Sequence, residues 1–204
     1  MPDLLLLATT NQGKLREFRE MFSDLPLTLT TLDEQGIDLD VEETGVTFAE
    51  NALLKARAYT RASGLLTLAE DSGLEIDALG GEPGVYSARW PDREIPYPER
   101  FTRILQRMAG LPPKQRTARF RCMIALAGTD GWHELVEGVQ EGQIANTPRG
   151  EHGFGYDPIF LVPALGRTTA ELLPEEKHRN SHRGRAARAA REVLMRLIAE
   201  TTHR

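Results

Sequence analysis

Residues 3–22, "DLLLLATTNQGKLREFREMF", change abruptly from purely apolar to polar, and that change decides the fold. Leu4 to Leu7 form an apolar run of strand length, and beyond it Leu15, Phe18, Met21 and Phe22 recur at the spacing of an amphipathic helix. The stretch therefore predicts a β-to-α junction, with Thr9, Thr10, Asn11, Gln12, Gly13 and Lys14 at the start of the helix. Backbone N–H groups, short hydroxyl and amide side chains and a lysine ammonium would converge there, which suits a phosphate group. The same residues also read as a simple helix cap, with Thr10 or Asn11 as the capping residue. They do not make a Walker A loop, because the first glycine spacing and the Ser/Thr after the lysine are missing.

The alternation of elements continues along the chain. "LTLTTLDE" predicts a second strand, and an acidic connection containing Glu42 and Glu43 leads to a second helix through Phe48, Ala52, Leu53, Ala56 and Tyr59. Thr47 and Glu50 are spaced as a capping box at its start. "LLTLAEDSGLEIDAL" predicts an apolar strand running into Glu70 and Asp71, then a break at Ser72-Gly73 and a further short strand. A helix is expected from about Pro98 to Met108. Two antiparallel strands should flank Thr129-Asp130-Gly131, a sequence suited to a hairpin turn. A Gly-rich loop around "GFGYDP" precedes another strand, and a long closing helix from about Ser181 places Ala186, Ala190, Val193, Leu194 and Leu197 on one face. Crossover and hairpin connections together imply an α/β fold with a mixed sheet covered by helices.

Length and composition set outer bounds. A chain of 204 residues buries a sizeable core as one domain or two closely joined lobes. With 40% hydrophobic and 27% charged residues, it has the composition of a soluble globular protein. No apolar run approaches a membrane span of about 20 residues, and the four leucines are too few for a signal-peptide core, so a cytoplasmic location is expected. Cys122, the single cysteine, lies in an apolar strand context and reads as a small buried residue. From Arg167 to Arg204 nine Lys and Arg stand against five Asp and Glu, whereas the rest of the chain carries 16 against 25. This imbalance suits a polyanion at the basic end and a metal ion among the acids, while the net charge of −5 argues against nucleic-acid backbone binding.

Four clusters carry candidate chemistry. Besides Thr9 to Lys14, the carboxylates Glu42, Glu43, Glu70 and Asp71 suit a hard cation such as Mg2+, or one of them could activate a water. Glu43 and Glu70 read equally well as solvated loop acids. That reading is weaker for Asp71, which directly follows an apolar strand, where ligand sites gather in α/β sheets. Gly153 to Pro158 offer two glycines for close backbone approach and the rings of Phe154 and Tyr156 for stacking a nucleobase, or else a turn whose aromatics fill the core. Lys177, Arg179, His182 and Arg183 gather around the start of the last helix as a second anion site or a solvated basic face. No His/Cys cluster has zinc spacing and no nucleophile elbow occurs, so water is the expected nucleophile.

Five ordered blocks, "TTNQGKLREF", "EETGVTFAENALLKA", "AEDSGLEIDALGGEPGVYSARW", "GFGYDPIF" and "KHRNSHRGRA", cover most of the chain and closely resemble the inosine triphosphate pyrophosphatase family, the noncanonical purine NTP pyrophosphatases also called HAM1-like. The resemblance implies an elongated α/β fold, a long mixed sheet flanked by helices in a single domain over residues 1–204, with two lobes and a cleft between them. It also implies a homodimer and Mg2+-dependent hydrolysis of ITP, dITP and XTP to the monophosphate and pyrophosphate, which would cleanse the nucleotide pool. Carried onto this chain, it makes Thr9, Thr10, Asn11 and Lys14 triphosphate contacts, with Gln12 and Gly13 shaping the turn. Lys55 becomes a phosphate-binding lysine, Glu42 the metal ligand with Glu43 as the alternative in register, Asp71 the proton acceptor and Mg2+ ligand, and Ser72 a substrate contact. Phe154, Gly155, Tyr156 and Asp157 match the base-binding loop, and Lys177, His182 and Arg183 match the residues that grip the base at its 6-oxo edge. The chain departs from the family pattern between Trp90 and Met108, where no contacts are assigned.

The expected step is in-line attack of water on the α-phosphorus, with Asp71 activating the water and the metal and lysines neutralising the phosphates. A cationic or N–H donor at the 6-oxo edge would favour hypoxanthine and xanthine over adenine, a mismatched buried group costing about 1–3 kcal/mol. Two rival readings are a Maf-type pyrophosphatase, which the FGYDP and SHR blocks oppose, and a non-catalytic nucleotide sensor, which the acids at Glu42 and Asp71 oppose.

Overall fold

A computed structural model describes residues 4–202. One seven-stranded sheet has the order β2-β1-β3-β4-β5-β6-β7, with β1 Leu4–Leu7, β2 Thr28–Thr31, β3 Leu66–Ile76, β4 Thr117–Ala127, β5 His133–Ile144, β6 Phe160–Val162 and β7 Arg167–Thr168. The helices are α1 Gln12–Met21, α2 Phe48–Ser63, α3 Tyr97–Arg107, α4 Pro174–Asn180 and α5 His182–Thr202. β1 pairs in parallel with β2 and β3, whereas β5–β6 and β6–β7 are antiparallel. The mixed sheet read from the connections is therefore present. The hairpin at Thr129-Asp130-Gly131 also forms: Gly128 N–H donates to the Trp132 carbonyl at the turn, and Ile144 N–H donates to the Arg116 carbonyl at the far end. No helix among the described residues is long and apolar enough to cross a membrane.

The chain divides into two compact units. Among the described residues the first holds 4–71, 122–138 and 183–202, and the second holds 72–121 and 139–182. In the first, alternation along the strands separates two apolar layers. Leu5, Leu7, Leu68, Cys122, Ile124 and Leu126 pack with Leu15 and Phe18 of α1 and with Ala186, Ala190, Val193 and Leu194 of α5. Leu6, Ala69, Ala125 and Ala127 face the other way, onto Ala52, Ala56 and Tyr59 of α2. The small residues expected to seat the last helix do so, with Arg185, Arg188 and Arg196 exposed. Cys122 is fully buried, and burial together with the neighbouring Glu70 pushes its thiol pKa well up.

In the second unit, Phe101, Ile104 and Met108 of α3 pack with Phe120, Ile144, Tyr156 and Phe160. Two buried arginines tie its irregular segments by saturating carbonyl oxygens. Arg116 donates to those of Met108, Ile144 and Ala145, and Arg100 to those of Ser87, Ala88, Asp92, Arg93 and Ile95.

One sequence expectation is corrected here. β3 does not break at Ser72-Gly73 but runs unbroken from Leu66 to Ile76, so Glu70 and Asp71 lie within a strand rather than at its end. Gly73 is buried without a positive φ, and the next N–H, that of Leu74, donates to Ser87 Oγ at 2.9 Å. What ends near the two acids is β1, whose last pair is Leu7 with Leu68.

Candidate active site

The polar cluster after β1 forms the helix start as expected. Asn11 is the capping residue, its Oδ1 accepting from Lys14 N–H at 3.1 Å, and Thr9 Oγ1 accepts from Asn11 N–H at 3.2 Å. Thr10 and Gln12 are exposed and Gly13 is half-buried in the first turn. The geometry projects the Lys14 side chain toward β3, where its ammonium meets Glu70 Oε1 at 2.6 Å.

Because consecutive strand residues face opposite sides, Glu70 and Asp71 have different neighbours. Glu70 is fully enclosed on the α1–α5 side. Besides Lys14 it receives Arg183 Nη2 at 3.4 Å, and Arg183 is held in turn by Glu17 Oε2 at 2.8 Å. Burial opposes ionisation of Glu70, but Lys14 and Arg183 overcome it and hold the carboxyl far below its ordinary range. Burial likewise opposes the charge on Arg183, and Glu70 and Glu17 more than reverse the effect. Glu17 was not singled out by any motif. On helical spacing it is one more charged residue of α1, and only Arg183, far along the chain, shows what it holds.

Asp71 faces α2. Lys55 Nζ lies 3.8 Å from Asp71 Oδ1 and 2.5 Å from Glu43 Oε1, so one ammonium serves two carboxylates. Burial raises the Asp71 pKa, Glu43 and Glu70 add to the rise, and Lys55 and Lys14 only partly offset it, leaving the group at about 6. For Lys55, burial works against the charge, but Asp71 and Glu43 raise its pKa overall. Of the two adjacent acids, Glu43 is the one turned onto Lys55, whereas Glu42 is exposed. Thr47 and Glu50 make the expected capping box, which starts α2 so that Asn51 and Lys55 lie one turn apart on its inner side.

The second unit carries another group. Lys177 Nζ bonds Asp157 Oδ2 at 2.6 Å, both residues being buried, and sits 4.8 Å from the centre of the Phe154 ring. The same Asp157 oxygen accepts from Phe154 N–H at 2.8 Å, and Thr169 Oγ1 donates to Oδ1 at 3.0 Å. Gly153 has φ +76°, and a Cβ there would stand 2.1 Å from Asp157 Oδ2, so only glycine permits this approach. Gly155, at φ +64°, completes the turn. His182 is buried with its ring stacked on Phe120 at 4.6 Å, and Ser72 is half-buried on β3.

This geometry decides one reading that the sequence left open. Tyr156 is 3% exposed, packs edge-on to Tyr97 and donates its hydroxyl to the Ser87 carbonyl at 3.0 Å; its ring belongs to the core, not to a stacking surface. Phe154 remains the partly exposed aromatic of the loop. The Arg183 guanidinium pairs with Glu17 and Glu70.

The acids, lysines and aromatic-glycine loop appear in the order of the five sequence blocks, and comparison with known proteins agrees. The Ham1 family model matches residues 5–193. The chain belongs to the Ham1 family. Among relatives of this Ham1 chain, the dITP/XTP pyrophosphatase of Thermus thermophilus is 52% identical over 189 residues, 93% of this chain and 90% of the relative. That of Symbiobacterium thermophilum is 50% identical over 197 residues, 96% and 97% of the two chains. The solved structure of a HAM1 protein from Coxiella burnetii superposes with a TM-score of 0.86 at 43% identity, covering 95% of this chain and 98% of that one.

Among the described residues no group of three or more His, Cys, Asp or Glu is gathered to hold a metal ion. Mg2+ needs no such cage, being commonly bound by one or two carboxylates together with water and substrate phosphate oxygens. Glu43 and Asp71 fit that role chemically: both are hard oxygen donors, and both face the ammonium of Lys55.

Proposed function

We propose that this protein is a nucleoside triphosphate pyrophosphohydrolase that converts dITP, XTP and ITP to the monophosphate and pyrophosphate with Mg2+. The names of its relatives, dITP/XTP pyrophosphatase, support the substrate class. The observation that carries the reaction type is the arrangement of Lys55 between Glu43 and Asp71, beside Lys14 on Glu70. In support, two ammonium groups able to neutralise triphosphate oxygens accompany a carboxylate whose pKa of about 6 leaves it ionised at neutral pH yet basic enough to take a proton.

In this reading Lys14, Lys55 and the Thr9 to Gly13 turn hold the phosphates. Asp71 accepts the proton of the water that attacks the α-phosphorus. Glu43, rather than the exposed Glu42, joins Asp71 in holding Mg2+, which when bound supplies positive charge to the phosphate oxygens. In the second unit the Phe154 ring offers a flat face to the base, with Asp157 fixing the loop and Lys177. Lys177 and His182 are the donors for the 6-oxo edge. Adenine presents an amino group there, so its pairing would leave a buried donor unmatched, a loss of about 1–3 kcal/mol.

Product analysis with dITP, XTP, ITP, GTP and ATP, with and without Mg2+, tests this reading. Monophosphate and pyrophosphate are expected from the first three, only with Mg2+. Nucleoside diphosphate and orthophosphate would exclude attack at the α-phosphorus, and equal turnover of ITP and ATP would exclude donor reading of the base edge.

A further inference from the structure

α2 brings to Asp71 one residue that none of the assignments above includes. Asn51 lies in the first turns of α2 with no exposed surface. Its Nδ2 donates to Asp71 Oδ2 at 3.0 Å, and its Oδ1 accepts from Gly45 N–H at 2.8 Å. These partners fix which way the amide points, since an ionised carboxylate only accepts and a backbone N–H only donates. The planar amide thus supplies a donor and an acceptor from one rigid group.

Gly45 is built for this contact. A Cβ at that position would stand 2.6 Å from Asn51 Oδ1, 2.7 Å from Glu50 Cβ and 3.0 Å from the Asn51 nitrogen, so a side chain there would push the amide aside. Gly45 follows Glu43 by two residues, and Glu43 is the acid on Lys55. Asn51 and Lys55 are four apart on one helix and therefore share a face. From that face two links join the acidic segment to Asp71, one through Asn51 between Gly45 and Oδ2, the other through Lys55 between Glu43 and Oδ1.

We propose that Asn51 is a positioning residue for the hydrolysis: it holds Asp71 by Oδ2, leaving Oδ1 on the Lys55 side, and keeps the Glu43 segment in register with that carboxylate. The inference rests on the reading of Asp71 given under the proposed function. Without the amide, the carboxylate could rotate about its terminal torsion and the segment could drift from it. Loss of such a supporting contact commonly costs about 10–100-fold in activity.

Three variants separate this role from a purely structural one. Asn51→Ala removes both bonds; Asn51→Asp keeps an acceptor for Gly45 N–H but replaces the donor to Asp71 with a repelling carboxylate. Gly45→Ala leaves Asn51 in the chain and displaces its amide. Each is compared with the unaltered protein for pyrophosphate release from dITP with Mg2+, for hydrogen exchange at the residue-45 amide, and for its melting curve. The expected result is a fall in kcat of about 10–100-fold in all three with KM little changed. Exchange at residue 45 should accelerate in Asn51→Ala but stay close to that of the unaltered protein in Asn51→Asp. A folded Asn51→Asp protein with unaltered kcat overturns the inference, as does a loss confined to KM. Should either Asn51 variant fail to fold, an unaltered kcat in Gly45→Ala overturns it equally. If the unaltered protein releases no pyrophosphate from dITP, XTP or ITP, the proposed function itself falls, and the role of Asn51 falls with it.

Discussion

The two sides of β3 treat adjacent carboxylates in opposite ways. On the α1–α5 side, Glu70 and Glu17 are matched by Lys14 and Arg183, so charges alternate in number and the buried acid stays ionised far below its usual range. On the α2 side, Glu43 and Asp71 share the single ammonium of Lys55, and Asp71 is left with a pKa of about 6. Burial alone does not distinguish them, because both are almost completely enclosed. The local ratio of cations to anions does. One carboxylate is thereby a fixed counter-ion and its neighbour a group whose pKa lies nearer neutrality, a separation of environments typical of acid–base sites.

Paired acid-to-amide substitutions probe that contrast. The largest effect is expected on turnover: Asp71→Asn should lower kcat on dITP by about 10²–10⁴-fold, the usual contribution of a positioned base. Glu70→Gln should act more weakly and mainly through KM, by loosening Lys14. Steady-state kinetics on both variants decides it, and an equal loss of kcat in the two would erase the functional distinction between the sides.

On stability the order reverses. Glu70→Gln leaves Lys14 and Arg183 facing a neutral amide, and removing one member of a buried ionic group costs about 3–5 kcal/mol. Urea denaturation of the two proteins measures the difference. A cost below about 1 kcal/mol, the range of an exposed pair, would mean that Glu70 is not the counter-ion the geometry makes it.

Much of this architecture is legible in local sequence because local chemistry fixes it. Four leucines followed by Asn11 and an amphipathic run define β1, the cap and α1, and the Thr47–Glu50 box and the Thr129-Asp130-Gly131 turn are equally self-contained. What escaped was decided by distant partners. Ser72-Gly73 has the composition of a break, yet Ser87 takes the Leu74 N–H and the strand continues. A tyrosine in a glycine-rich loop can turn either way, and it is Tyr97 and the Ser87 carbonyl that draw Tyr156 inward. That Glu43 rather than Glu42 pairs with Lys55 likewise depends on a partner twelve residues away. Glu17 and Asn51 look like ordinary polar positions of amphipathic helices, and only Arg183 and Asp71 give them their roles.

The smallest predicted effect follows from the sign of the two pKa shifts. Asp71 has a folded pKa of about 6, above the ordinary 3.8, so between those values the native protein binds more protons than the unfolded chain. Its contribution to stability is therefore full below about pH 4, declines as pH rises through 4 to 6, and is absent above. Glu70 is shifted downward, so its contribution is present above about pH 4.5 and declines as pH falls further. Asp71→Asn should accordingly match the unaltered protein near pH 4 and exceed it at pH 7 in metal-free buffer, by up to about 3 kcal/mol from a shift of roughly two pH units. Glu70→Gln should be less stable throughout pH 5–8 and approach the unaltered protein only in acid. Unfolding free energies measured across pH 4–8 would then give difference curves of opposite sign for two neighbouring residues. A flat difference for Asp71→Asn across that range would mean that Lys55 neutralises Asp71 fully, and the contrast between the two sides of β3 would reduce to packing alone.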